Sequence, residues 1–172
     1  DSRIKTYIGT APRSPVSSTD PSDGAASADE AFLDVEFFRS LVENGSDAIV
    51  TIDEESTVVY ANDSVERVFG YEPEAMIGEP LTTIMPVRFH ERHAASMGEY
   101  LATGEKNLDW NDIQLPGERA DGTEVSLDIT FEEHLYEGER VFSGIMRDVT
   151  ERVERKQELE RQNEQLERFA SI

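Results

Sequence analysis

Few side chains in this 172-residue chain are equipped for chemistry. It has three histidines, His90, His93 and His134, and no cysteine. Thiol catalysis, disulfides and Cys-based metal sites are therefore excluded, and the histidines form no metal-ligand spacing. No Gly-rich phosphate loop, HExxH pair or nucleophile elbow is present. Asp and Glu number 37 against 16 Lys and Arg. Carboxylate pairs are thus abundant everywhere and single out none for acid–base work, so this segment reads as non-catalytic. What remains suits the holding of a small planar molecule. Met97, Trp110, Phe131, Phe142 and Met146 are the kinds of side chain that sandwich an aromatic ring. His93 or Asn111 would supply one polar group to orient it. Trp110 has an alternative place at an exposed or dimer surface, because the residues around it alternate poorly.

Elements that could position these groups follow from periodicity. Ala48–Ile52 and Thr57–Tyr60 are short β-rich runs around a turn at Asp53–Ser56. Asn62 stands where an N-cap belongs, ahead of a helix Asp63–Phe69 stopped by Gly70. Pro73 opens a short helix ending at Gly78, Leu81–Met85 is an apolar stub, and Phe89–Leu101 reads as a longer helix closed by Gly104. Three strands follow, over about 106–115, 123–135 and 140–149, with turns at Gly117…Ala120-Asp121-Gly122 and at Glu137-Gly138. Val125, Leu127, Ile129 and Phe131 alternate with Ser126, Asp128, Thr130 and Glu132, so one face of that strand is core. The order ββαααβββ predicts an α+β fold, a five-stranded antiparallel sheet with helices on one face. The inward positions then form a candidate pocket: Val50, Ile52, Leu127, Ile129, Phe131, Phe142, Gly144 and Met146 from strands, Ile84, His93 and Met97 from helices, with Trp110 beside them. Gly144 among bulky neighbours leaves room for a ligand. The plain alternative is that these residues simply pack as core. His90 and His134 read as solvated.

The flanks are different. Residues 1–29 have linker composition, rich in Pro, Ser, Gly and Ala over 10–29. Residues 30–45 read as an N-terminal amphipathic helix on Phe32, Val35, Phe37, Phe38, Leu41 and Val42. From about 151 to 172 the chain is helical and charged, with Lys156, Leu159, Asn163, Leu166 and Ala170 on an a/d seam. Such a short seam is marginal alone, so a parallel homodimer through the flanking helices is expected, with a lone surface helix as the alternative. The formal charge of −21 argues against nucleic acid or anionic lipid as partner. Self-repulsion of that size is relieved in molar salt, where the Debye length is roughly 3 Å. With lysine only at positions 5, 106 and 156, the composition points to a high-salt, halophilic cytoplasm. No apolar run spans a membrane and no signal peptide is seen. The chain lacks an initiating Met and ends within a helix, so a piece of a longer cytoplasmic protein is expected.

In combination, several motifs resemble the PAS domain over about two-thirds of the chain, 46–150. They are Asp47-Ala48-Ile49, Ala61-Asn62, Phe69-Gly70-Tyr71, Ile77-Gly78, Met85-Pro86, Arg119–Gly122 and Arg147-Asp148-Val149-Thr150. The resemblance implies a sensory fold whose last strand is tied by Asp148 and Thr150 to the outgoing helix, with Arg147 or Arg152 as charge partner; a plain helix N-cap at either residue is compatible. Leu166–Ile172 is similar to the stretch before the phosphoacceptor box of sensor histidine kinases. Archaeal transducers and bacterioopsin-activator-like regulators carry such units too. A haloarchaeal kinase or transducer parent, with this segment as its ligand-binding relay or as a ligand-free one, is the expectation. The flavin photochemistry of light-sensing relatives needs a reactive Cys, which is absent. The segment around Arg92-His93 also resembles that of heme-based oxygen sensors, in which His93 would be the iron ligand. Two departures weaken heme: Ile113 falls near the position of an oxygen-contacting Arg, and Phe131 narrows the cavity.

Overall fold

The computed structural model describes residues 36–172. The expected linker, 1–29, and the first residues of the N-terminal flanking helix lie outside the described residues. Asn44–Ile172 form one unit, and of the described residues 36–43 belong to another. A helix, α1, covers 36–44, and its Phe37, Phe38 and Leu41 are exposed.

From Ala48 onward the alternating patterns become one antiparallel sheet. Its strands are β1 (Ala48–Ile52), β2 (Val58–Ala61), β3 (Ile113–Glu118), β4 (Glu124–Tyr136) and β5 (Glu139–Asp148), in the spatial order β2-β1-β5-β4-β3. Between β2 and β3 come α2 (Ser64–Phe69), α3 (Pro73–Met76), a 3-10 turn at Leu81–Ile84 and α4 (His90–Thr103). Helix α5 (Thr150–Ala170) follows β5 directly.

Turn chemistry sets the register. At the β1–β2 hairpin, Asp53 Oδ1 accepts the amide of Thr57 at 2.8 Å, while Ser56 takes a left-handed φ of 63°. At the β4–β5 hairpin, Glu137 and Gly138 have φ of 51° and 86°. That two-residue primed turn matches the natural twist of the strands it joins. Val50, Ile52, Val125, Leu127, Ile129, Phe142 and Met146 are consequently buried on one face. Val65, Phe69, Met76 and Ile84 of the helical segments complete that core.

Three readings of the sequence are corrected. The third strand begins at Ile113, not near 106, because the left-handed Gly104 (φ 74°) ends α4 and residues 104–112 run as a loop. Gly117 therefore lies within β3, and the turn is confined to Arg119–Gly122, where the Gly122 amide donates to Arg119 O at 2.9 Å. Asn62 does not cap α2. Its Oδ1 accepts the Ile49 amide at 2.9 Å and its Nδ2 donates to Asp47 O at 3.0 Å, so it straps the start of β1 from within the core. The cap position belongs to Asp63, which makes no side-chain cap bond. Among the described residues, no helix is long and apolar enough to cross a membrane.

Candidate functional site

One face of β1, β3, β4 and β5, the Leu81–Ile84 turn, α4 and the loop 104–112 surround a cavity of about 300 Å³. All twelve residues singled out above line it: Val50, Ile52, Ile84, His93, Met97, Trp110, Leu127, Ile129, Phe131, Phe142, Gly144 and Met146. The strand register explains why they converge. Val50, Gly144 and Phe131 are cross-strand neighbours, as are Ala48, Met146 and Ile129 one rung away. Positions two apart on a strand share a face.

Four aromatic rings form the wall nearest the loop. The Trp110 ring lies 4.8 Å from that of Tyr100, 6.2 Å from Phe142 and 6.3 Å from Phe131. The last two contacts are edge-to-face, the arrangement that ring quadrupoles favour. Trp110 is held there because its carbonyl accepts the Phe131 amide at 2.7 Å. It is half-buried in this cluster. Tyr100 was not among the sequence candidates, though it falls seven residues after His93 and three after Met97, on the same helical stripe. Its hydroxyl donates to Glu133.

Gly144 does not leave the expected gap. Its missing side chain is covered by Phe131, whose ring carbons lie 3.7 and 3.8 Å from where a Cβ would stand. Cross-strand aromatic cover of this sort shields a glycine that packs poorly by itself. Asn111 is exposed and does not line the cavity; its carbonyl accepts the Thr130 hydroxyl at 3.1 Å. His90 is likewise not free in solvent, since its Nε2 donates to Met85 O at 2.8 Å. His134 is exposed, 3.6 Å from Glu132.

His93 lies on α4, which forms the roof of the cavity. Its Nε2 shares a hydrogen bond with Ser56 Oγ at 3.1 Å. Burial pushes its pKa below the ordinary histidine value, and the positive charge His90 can carry pushes the same way. The ring is thus neutral at pH 7. An iron ligand is also neutral, but here the outer ring nitrogen is engaged by Ser56. Ile113 and Phe131 line the cavity without offering a donor to a bound gas. These residues do not fit an iron porphyrin.

The expected joint lies where β5 becomes α5. The Thr150 hydroxyl accepts the Ser126 amide at 3.0 Å, and Val149 N–H donates to Ser126 O at 2.9 Å, so the helix start is pinned to β4. Asp148 Oδ1 accepts the Thr150 amide at 2.9 Å, doing the work of a cap although Val149 occupies the cap position. Both functions attributed to these two residues coexist. The charge partner is different from the two expected. Arg119 of the β3–β4 turn lies 3.6 Å from Asp148, whereas Arg147 pairs with Asp47 at 3.3 Å and Arg152 with Asp128 at 2.7 Å. Adjacent residues of a strand point to opposite faces, which takes Arg147 away from Asp148.

Known proteins resemble this chain in sequence and in fold. An uncharacterized protein of Azorhizobium caulinodans is 33% identical over 138 residues, which is 80% of this chain and 19% of that protein. The sensor protein FixL of Bradyrhizobium diazoefficiens is 28% identical over 113 residues, 66% of this chain and 22% of that one. The chain therefore spans about a fifth of the length of these curated relatives. Among solved structures, the PAS domain of an HTR-like protein from Haloarcula marismortui superposes with a TM-score of 0.54 at 21% identity, covering 72% of this chain and 98% of that one. An RNA-binding light-oxygen-voltage receptor gives 0.58 at 23% identity, over 92% of this chain and 42% of the receptor. At those identities the likeness is one of fold. Residues 46–151 match the family description "PAS domain", and with the sheet order, the helices on one face and the strand-to-helix joint in place, the chain belongs to the PAS domain family.

Proposed function

We propose that this segment is the ligand-binding sensory module of a cytoplasmic signalling protein, and that the cavity takes a small aromatic or hydrophobic molecule. The observation that carries the reading is an apolar cavity walled by four aromatic rings, one wall of which is β5, the strand that continues into α5. Occupancy that presses on Phe142 or Met146 displaces β5, and β5 has no loop in which to absorb the movement before Asp148 and Thr150. The ligand shifts the output only by binding one arrangement of the helix better than the other. Leu159, Leu166 and Phe169 are exposed on α5, and a second copy of the chain is the partner that would cover the Leu159–Leu166 seam in a parallel coiled coil. The parent in this reading is a two-component histidine kinase of a halophilic archaeon, and the segment itself is non-catalytic. Relationship to a sensor protein, FixL, supports the sensory part.

The test is native mass spectrometry with an absorbance scan of protein purified in molar KCl. A dimer carrying an organic mass is the expected result. An empty dimer would transfer the role to a ligand-free relay. A Soret band lost in His93→Ala would identify heme and overturn the small-ligand reading.

A further inference from the structure

We propose that the ligand of this cavity is an aromatic anion, its ring among Trp110, Tyr100 and Phe142 and its carboxylate at the mouth between Lys106 and Arg92. The inference rests on the receptor reading above and adds the charge of the molecule received.

The argument comes from where charges are missing. Asp and Glu make up 37 of the 172 residues, yet among the described residues none lines the cavity, while Arg92, Lys106 and His93 do. Desolvation disfavours carboxylates in the lining, while Arg92 and Lys106 are exposed and keep their charges at its edge, so the sign of the charge there is what needs explaining. Chance also disfavours the pattern, because basic residues are less than half as common as acidic ones and lysine occurs only three times.

The two cations are moreover not engaged by carboxylates of the described residues. Elsewhere among the described residues seven arginines pair with carboxylates, among them Arg88 with Glu124, Arg119 with Asp148, Arg140 with Glu54, Arg147 with Asp47 and Arg152 with Asp128, while Arg39, Arg67 and Arg168 form no such pair. Among the described residues, neither Arg92 nor Lys106 forms such an ion pair. Lys106 Nζ instead stands 4.2 Å over the Trp110 ring, a cation–π contact that holds the ammonium beside the aromatic wall. An exposed lysine surrounded by so acidic a surface has carboxylates in plenty to choose from. Its place on the indole keeps it at the mouth, where a ligand anion can accept its hydrogen bonds, and Arg92 adds a fork suited to a planar carboxylate.

Trp110 is the only tryptophan in the sequence, so its fluorescence reports on the cavity. The full chain in molar KCl is titrated with 4-tert-butylbenzoate and with the isosteric neutral 4-tert-butylbenzamide, binding being checked by calorimetry. Both should bind, the benzoate roughly tenfold or more tighter, as a charge-assisted contact warrants. Lys106→Gln and Arg92→Gln, both at exposed positions, should each shrink that preference while leaving the amide's affinity within about twofold. Equal affinities for the two molecules would overturn the anion and leave the receptor intact. A preference untouched by either substitution would overturn the assignment to these two side chains. Binding of neither molecule would sink the receptor reading and this inference together.

Discussion

Helices α2 and α4 are built in opposite ways. α2 is six residues long and buries four of them, Ser64, Val65, Val68 and Phe69. α4 has fourteen residues and buries none; His93, Met97, Tyr100 and Leu101 pack against the core only in part. The difference divides the domain into a sealed half and a slack half. The end of α2 is fastened to the β3–β4 turn, since Ala120 N–H donates to Phe69 O at 2.7 Å, and Arg119 of that turn reaches Asp148. The strand-to-helix joint is thus referenced to the sealed half. The cavity lies under the slack half, where α4 and the 104–112 loop can shift at little loss of packing. In the proposed receptor, a ligand would move β5 against a fixed reference.

The comparison breaks first if the two halves tolerate truncation equally. Phe69 is fully buried, and Phe69→Ala should lower unfolding free energy by about 3–5 kcal/mol. Met97→Ala on α4 should cost under about 1 kcal/mol, because its surroundings are already loosely filled. Urea unfolding of both variants at equal ionic strength measures the contrast. Similar midpoint shifts would remove the division.

Gly117 sharpens it. A Cβ there would stand 2.8 Å from Leu127 Cδ1 and 2.9 Å from Phe69 Cε1, inside van der Waals contact. Gly117→Ala should therefore destabilise by about 1–3 kcal/mol, whereas Gly144→Ala, facing ordinary 3.7 Å contacts with Phe131, should be neutral or slightly stabilising. Thermal unfolding of the pair is the check. A tolerant Gly117 would show that the sealed half has slack of its own.

At the joint the expected effect on stability is smaller and the effect on output larger. Asp148→Ala removes one capping acceptor and the partner of Arg119, at about 1 kcal/mol. In the full-length protein it should uncouple ligand from output while circular dichroism stays unchanged. Normal signalling by that variant would show that β5 moves α5 by another route.

The same contrast governs how much was legible in the sequence. Strands with one buried face announce themselves by alternation, so Val125–Phe131 and the inward residues of β1 and β5 were identified, and the cavity wall with them. Residues 106–112 read as strand in the sequence, where Trp110 carries a β preference that its backbone does not follow; the ties of Trp110 and Asn111 run to Phe131 and Thr130 on another segment. Arg119 as partner of Asp148, Asn62 as a strap on β1, and the Phe131 ring over Gly144 are all contacts between residues far apart in sequence. Periodicity carries no information about such pairings. Tyr100 was the exception, readable on the His93–Met97 stripe.

The smallest effect tests the slack half from within. Burial holds the His93 pKa below its ordinary value of 6.5. As pH falls, the unfolded chain therefore takes up its proton before the folded one does. The contribution of neutral His93 is complete above about pH 6.5 and declines as pH drops through that value toward the folded-state pKa. Wild type should accordingly lose more melting temperature between about pH 7.5 and about pH 5.5 than His93→Gln, which keeps an amide able to bond Ser56 but does not titrate. Equal losses in the two proteins would mean that α4 opens enough to hydrate His93, and that the slack half is looser than its hydrogen bond to Ser56 implies.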